Sequence, residues 1–259
     1  MRDSHKLGQV SLLAVLLAWI PYAAAEPEAI PASGSQGKIA LPLTIFSVDW
    51  SDQRVDLPPV RAGKAWLEAA VADPWQALPW RTYTQLDFVS RTRFAMVREE
   101  GVGQVRRPVV FAIEEIDQPH WGPRISFSIP PAIAAAGKRY RVSLDVSKSN
   151  ISRMGGVELL PGGALRFDEQ GNVLVLTSNT TAQVGRYRPN DVLHLLFVVD
   201  VPNRQTSVQV NEAKPVIVDW VDAKATRFNG LRLDGLIPGS YARGIGQLAF
   251  DNIKIVLED

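Results

Sequence analysis

Short runs in which apolar and polar residues alternate recur along this chain. Residues 124–129 set Ile125, Phe127 and Ile129 against Arg124, Ser126 and Ser128, and residues 139–146 set Tyr140, Val142, Leu144 and Val146 against polar partners. A period of two sends one set of side chains to a buried face and the other to water, so both runs read as half-buried β-strands. Thr206, Val208 and Val210 repeat the pattern. Residues 192–199, VLHLLFVV, are apolar on both parities, which predicts a central strand covered on both faces. Pro202 and Asn203 follow in a short loop, so residues 192–211 read as a hairpin, and Gln170, Gly171 and Asn172 supply the turn of another. The chain closes with Leu248 and Phe250 on one parity and Ile253, Ile255 and Leu257 on the other. One extra residue at Asp251 and Asn252, a β-bulge, would turn all five toward one core. Residues 63–75 break the rhythm: their Ala, Leu and Glu content suits a helix ended by Pro74, with an edge strand as the alternative.

Turn signals at roughly ten-residue spacing, with no alternation of strands and long helices, define an all-β fold: an antiparallel β-sandwich or jelly roll of about seven to twelve strands. The chain has no cysteine, so its stability must come from burial, for which about 230 residues suffice. At the N-terminus Arg2 and Lys6 precede an apolar run from Val10 to Ile20 and then Ala23, Ala24 and Ala25. This is the layout of a secretory signal peptide cleaved after Ala25, and the run is too short for a membrane anchor. The expected organisation is a signal peptide at 1–25, a flexible leader at 26–42 and one β-sandwich domain at 43–259, with a soluble mature chain in the periplasm or secreted.

Charge narrows the partners. The chain carries 28 Lys and Arg against 27 Asp and Glu, and residues 1–25 hold Arg2, Lys6 and Asp3, which leaves 26 of each sign. A balanced surface has little with which to displace counterions from nucleic acid. It argues equally against attraction to anionic lipid, so neither a nucleic-acid partner nor membrane insertion is expected.

The order RFDEQGNVLVL, VGRYRPNDVLHLLFVVDVPNRQTSVQVNE and IGQLAFDNIKIVLED resembles the concanavalin A-like jelly rolls, especially laminin-G-like domains of exported bacterial proteins. Leu193 and His194 stand where that group carries an aromatic-His pair, Asp200 and Asn211 fit later positions, and Phe250 to Val256 match its final strand. The likeness covers residues 164–259 well and 43–163 loosely. It implies that the first ordered strand, within residues 45–50, pairs beside the last. It also implies a structural calcium ion between those strands, with Asp49 and Asp251 as the side chains available; the alternative is that Asp251 only bonds backbone at the bulge.

Retaining β-glucanases of the same class carry paired carboxylates on one strand, and Glu115, Ile116 and Asp117 look like the start of that motif. His120 stands where the second Glu belongs and Pro119 interrupts the strand, so no catalytic residue is assigned. His194 reads as a hydrogen-bonded core histidine, and two separated histidines without cysteine do not make a zinc site. Trp75 and Trp80 in a Pro-rich stretch and Trp121 within PHWGP are candidate platforms for stacking sugar rings, against the alternative that they are core. The function expected is non-catalytic binding of a polysaccharide or other cell-envelope component. The alternatives are a structural or assembly domain without a small ligand and, behind it, a glycoside hydrolase or lyase.

Overall fold

In the computed structural model the alternating runs become strands whose apolar parity faces a shared interior. It describes residues 41–259 except 52, 54, 57–59, 62–63, 66–92, 100–107, 114–123, 152–154, 178–179 and 236–245. The chain divides into two units, and all described residues belong to the second, Ile39–Asp259. In order, the elements are β1 (Leu43–Val48), β2 (Val60–Arg61), β3 (Lys64–Ala65), β4 (Arg93–Val97), β5 (Val109–Ile113), β6 (Arg124–Ser128), α1 (Pro131–Ala136), β7 (Arg139–Lys148), β8 (Gly156–Leu160), β9 (Gly163–Phe167), β10 (Asn172–Leu176), β11 (Thr181–Arg186), β12 (Val192–Asp200), β13 (Gln205–Val210), β14 (Val216–Asp219), β15 (Gly230–Asp234) and β16 (Gly246–Leu257). The segment 63–75 lies outside the described residues apart from Lys64–Ala65, which pairs with β2.

The strands form an antiparallel β-sandwich. One sheet runs β14-β13-β12-β7-β16-β5-β4 with β1 also on β16, and the other runs β11-β10-β9-β8-β15-β6. Between them lie Tyr140, Val142, Leu144 and Val146 of β7, Leu193, Leu195, Phe197 and Val199 of β12, and Phe127, Leu231, Leu233 and Phe167 of the second sheet. Phe46 meets Phe127 edge-on with centroids 5.8 Å apart, and Tyr140 tilts against Phe228 at 5.2 Å. Such pairs add about 0.5–1.5 kcal/mol each beyond the area they bury.

Strand β16 organises the larger sheet. One of its edges pairs with β7 along most of its length. The other is shared, Gly246 to Phe250 with β5 and Ile253 to Leu257 with β1. The bulge falls at the change of partner. Asp251 pairs with Asp145 and Lys254 with Ser143, so β16 spends three residues where β7 spends two, and Asn252 takes the extra turn at φ 50. Leu248, Phe250, Ile253, Ile255 and Leu257 are all buried in consequence. The pairing of β1 beside β16 is the one the resemblance implied.

The hairpins form as expected, β12 with β13 and β9 with β10. Strand β12 is central but is not covered on both faces. Leu193, Leu195, Phe197 and Val199 are buried, whereas Val192, Leu196 and Val198 are half-buried and His194 is exposed. Leu196 lies between Ser143 and Gln209, and Val198 between Arg141 and Ser207. Of these neighbours, Gln209 and Arg141 have stems long enough to screen apolar residues without removing them from water.

Candidate functional site

The outer face of the six-stranded sheet carries charge where a strand surface is usually neutral and wet. Cross-strand register lines up Ser126, Arg232, Glu158, Ala164, Leu176 and Thr181 in one row. The next row holds Asp234, Gly156, Arg166 and Leu174. Arg232 bonds the Glu158 carboxylate, and its Nε lies 3.6 Å from Asp234 Oδ2, with Asp234 fully buried. Desolvated charges stand only when paired, so this set has been placed where each member has a partner.

Beside Glu158 the face opens into a cavity of about 330 Å³. Leu160, Ala164 and Leu176 give it apolar walls, and Glu158, Thr177 and Asp222 bring oxygens to it. Thr177 is held in its turn by Thr180, whose hydroxyl lies 2.8 Å away. Asp222 is anchored through the Lys224 backbone N–H at 2.8 Å. Apolar surface with a few fixed polar groups is the usual make-up of a small-ligand site, and the volume sits at the lower end of the usual range.

A second cluster crosses the outer face of the larger sheet. His194 Nδ1 lies 2.5 Å from Asp145 Oδ1, the Asn252 amide donates to Asp145 Oδ2 at 2.7 Å, and Asp251 stands directly across from Asp145. Its own Oδ1 accepts the Asn252 N–H at 2.8 Å. Burial first, and then the Asp145 and Asp49 carboxylates, raise the Asp251 carboxyl to about 6 despite that bond. Asp49 goes the other way, lowered chiefly by the Ser51 hydroxyl and then by the Ser51 N–H. His194 is therefore no core histidine: its side chain is 70% exposed and tethered to Asp145. The parity of Val192, Leu196 and Val198 that suggested burial is the half-wet face of β12.

Asp49 stands near enough to Asp251 for its charge to raise the Asp251 carboxyl. Each has committed Oδ1 to nearby backbone, and both oxygens of Asp145 are engaged. Among the described residues no group of three His, Asp or Glu side chains is arranged around a common metal position. Calcium takes six to eight oxygens, so beyond these two carboxylates backbone carbonyl and water oxygens would have to supply the remainder.

Trp75, Trp80 and Trp121 lie outside the described residues, as do Glu115, Asp117 and His120. Trp50 and Trp220 are buried, bonded through their indole N–H to Phe250 O at 3.0 Å and Thr206 Oγ1 at 3.2 Å. Sequence reading passed over Glu158, Arg232 and Asp234, although a charge at alternate positions of GLRLD was a visible signal. It also passed over Lys148, the last residue of β7. That side chain points between the sheets, bonds Asn150 O at 2.7 Å and lies over the Tyr187 ring, and burial lowers its amine to about 7.

No protein-family model matches this chain, and no curated protein matches it in sequence. Among solved structures it is similar to a sialidase at 14% identity and TM-score 0.49, over 62% of this chain and 16% of that one. It is similar to a Trypanosoma rangeli sialidase bound to a difluorinated sugar acid at 15% and 0.40, over 64% of this chain and 27% of that one. A family 7 alginate lyase in complex with substrate stands at 10% and 0.44, over 59% of this chain and 79% of that one. The matched region is thus a small part of either sialidase. At these identities and scores the neighbours' activities do not carry over to this chain.

Proposed function

We propose that this chain is an exported domain of concanavalin A-like, laminin-G-like type that binds a glycan or other cell-envelope component without catalysing a reaction. The observation that supports binding is the cavity beside Glu158. A sugar ring offers an apolar C–H face and a rim of hydroxyl groups, and the cavity offers Leu160, Ala164 and Leu176 as walls with oxygen acceptors from Glu158, Thr177 and Asp222. Export is supported by the charged, apolar and small-residue order of residues 1–25. Periplasmic and secreted destinations both agree with it.

The test is saturation-transfer NMR with a panel of oligosaccharides on the parent and on Ala164→Trp, which fills the cavity. Binding by the parent that the variant loses while keeping its unfolding transition supports the reading. Binding that survives in the variant moves the site elsewhere, with the Trp75, Trp80 and Trp121 stretches next to be substituted. No transfer from any sugar overturns the reading in favour of an assembly domain.

A further inference from the structure

The charge around the cavity says which sugars it would take. We infer that it selects amine-bearing glycans and turns away acidic ones, an inference that rests on the glycan reading above and sharpens it. Among the described residues, those lining the cavity include Glu158 and Asp222 and no Lys, Arg or His. The nearest described cation along the same row, Arg232, is engaged by Glu158 and lies beside buried Asp234. Arg166 belongs to the following row, with Gly156 and Leu174, none of which lines the cavity. Asp222 is exposed and accepts one backbone N–H, from Lys224. Among the described residues it has no ion pair.

A uronic or sialic acid entering here brings its carboxylate toward unpaired Asp222 and toward Glu158, whose Arg232 partner is already engaged, with no further guanidinium or ammonium among the described lining residues to receive it. Like charges at close range in a partly enclosed site disfavour each other strongly. A hexosamine with a free amine gains instead. Its ammonium finds a carboxylate acceptor in Asp222 and a second in Glu158, and charge-assisted hydrogen bonds are about twice as strong as neutral ones. The ring's C–H face is left for Leu160, Ala164 and Leu176, which neutral and charged sugars share alike. The walls therefore set affinity for the ring, and the two carboxylates set the choice among rings.

The experiment uses the full mature chain and three short oligomers: glucosamine units, their N-acetylated twins and a uronic acid oligomer. Binding is followed by isothermal titration at about pH 6, where an amine carries its proton. The glucosamine oligomer is expected to bind about tenfold tighter than its acetylated twin, the scale of one charge-assisted contact, with the uronate weakest. Asp222→Asn should shrink that preference to about twofold, read as the ratio of the two affinities within the variant, and about 1 M salt should do the same to the parent. If the uronate binds as tightly as the glucosamine oligomer, or Asp222→Asn leaves the preference intact, the selectivity is overturned while glycan binding stands. If none of the three binds, the glycan reading falls and this inference falls with it.

Discussion

Replacing Asp251 with Asn isolates the charge at the β16 bulge from its shape. The amide keeps an oxygen to accept the Asn252 N–H and fits the same seat. It removes a carboxylate that is 5% exposed and faces Asp145 across the strand pair. The carboxyl is raised from 3.8 to about 6 by burial and by the Asp145 and Asp49 carboxylates. Two pKa units correspond to about 3 kcal/mol of penalty on the ionised form at neutral pH. Burying an amide N–H₂ without a sure partner returns about 1 kcal/mol or more of that, so D251N should be more stable than the parent by about 1–2 kcal/mol at pH 7. Because the folded pKa is the higher one, the folded state holds the extra proton between 3.8 and about 6. The group's favourable contribution is complete below that window and is lost as pH rises through about 6. The advantage of D251N should therefore be full at pH 7 and absent near pH 4. Urea unfolding of both proteins at the two pH values, with a chelator present, measures it. A variant less stable than the parent at pH 7, or a difference equal at both pH values, refutes the reasoning. Repeating the pH 7 measurement in excess calcium tests the ion: a stabilisation in the parent that D251N lacks would seat one at Asp49 and Asp251.

Three further outcomes follow from the same geometry. Burial holds Lys148 at about 7 against an ordinary 10.5, so the unfolded chain binds the extra proton between those values and the parent should gain stability as pH rises across that window; Lys148→Met should flatten the rise in thermal unfolding curves, and an unchanged slope would contradict the buried amine. Arg232→Ala should cost about 3 kcal/mol or more by stranding Glu158 and Asp234, while joint replacement Arg232→Met with Glu158→Gln costs clearly less; equal costs in denaturant melts would show that the charges are not coupled. Asn252 sits at φ 50 and donates to Asp145, so Asn252→Val should lose about 2 kcal/mol and Asn252→Gly less than half as much, since glycine is free of the Cβ strain. Equal losses would place the whole effect in the hydrogen bond.

The residues themselves determined much of this protein. Period-two runs at β6, β7 and β13, the β12–β13 hairpin and the change of parity at Asp251 and Asn252 all speak through local backbone geometry, because a pleat sends alternate side chains to opposite faces. Local geometry is silent on which strand lies next door. His194 and Asp145 are 49 residues apart, Arg232 and Glu158 are 74, and Asn252 and Asp145 are 107. These contacts exist only because the order of strands within each sheet put β12 beside β7, β15 beside β8 and β16 beside β7. The same order decided that the His194 face of β12 would look outward, half wet. It also placed Asp251 at the seam where β16 exchanges β5 for β1, and set a cavity against the end of a half-buried ion pair. Side-chain alternation assigns a residue to a face; only the assembled sheets decide what that face meets, since pairing between distant strands is selected by the burial of the whole interior rather than by any one segment.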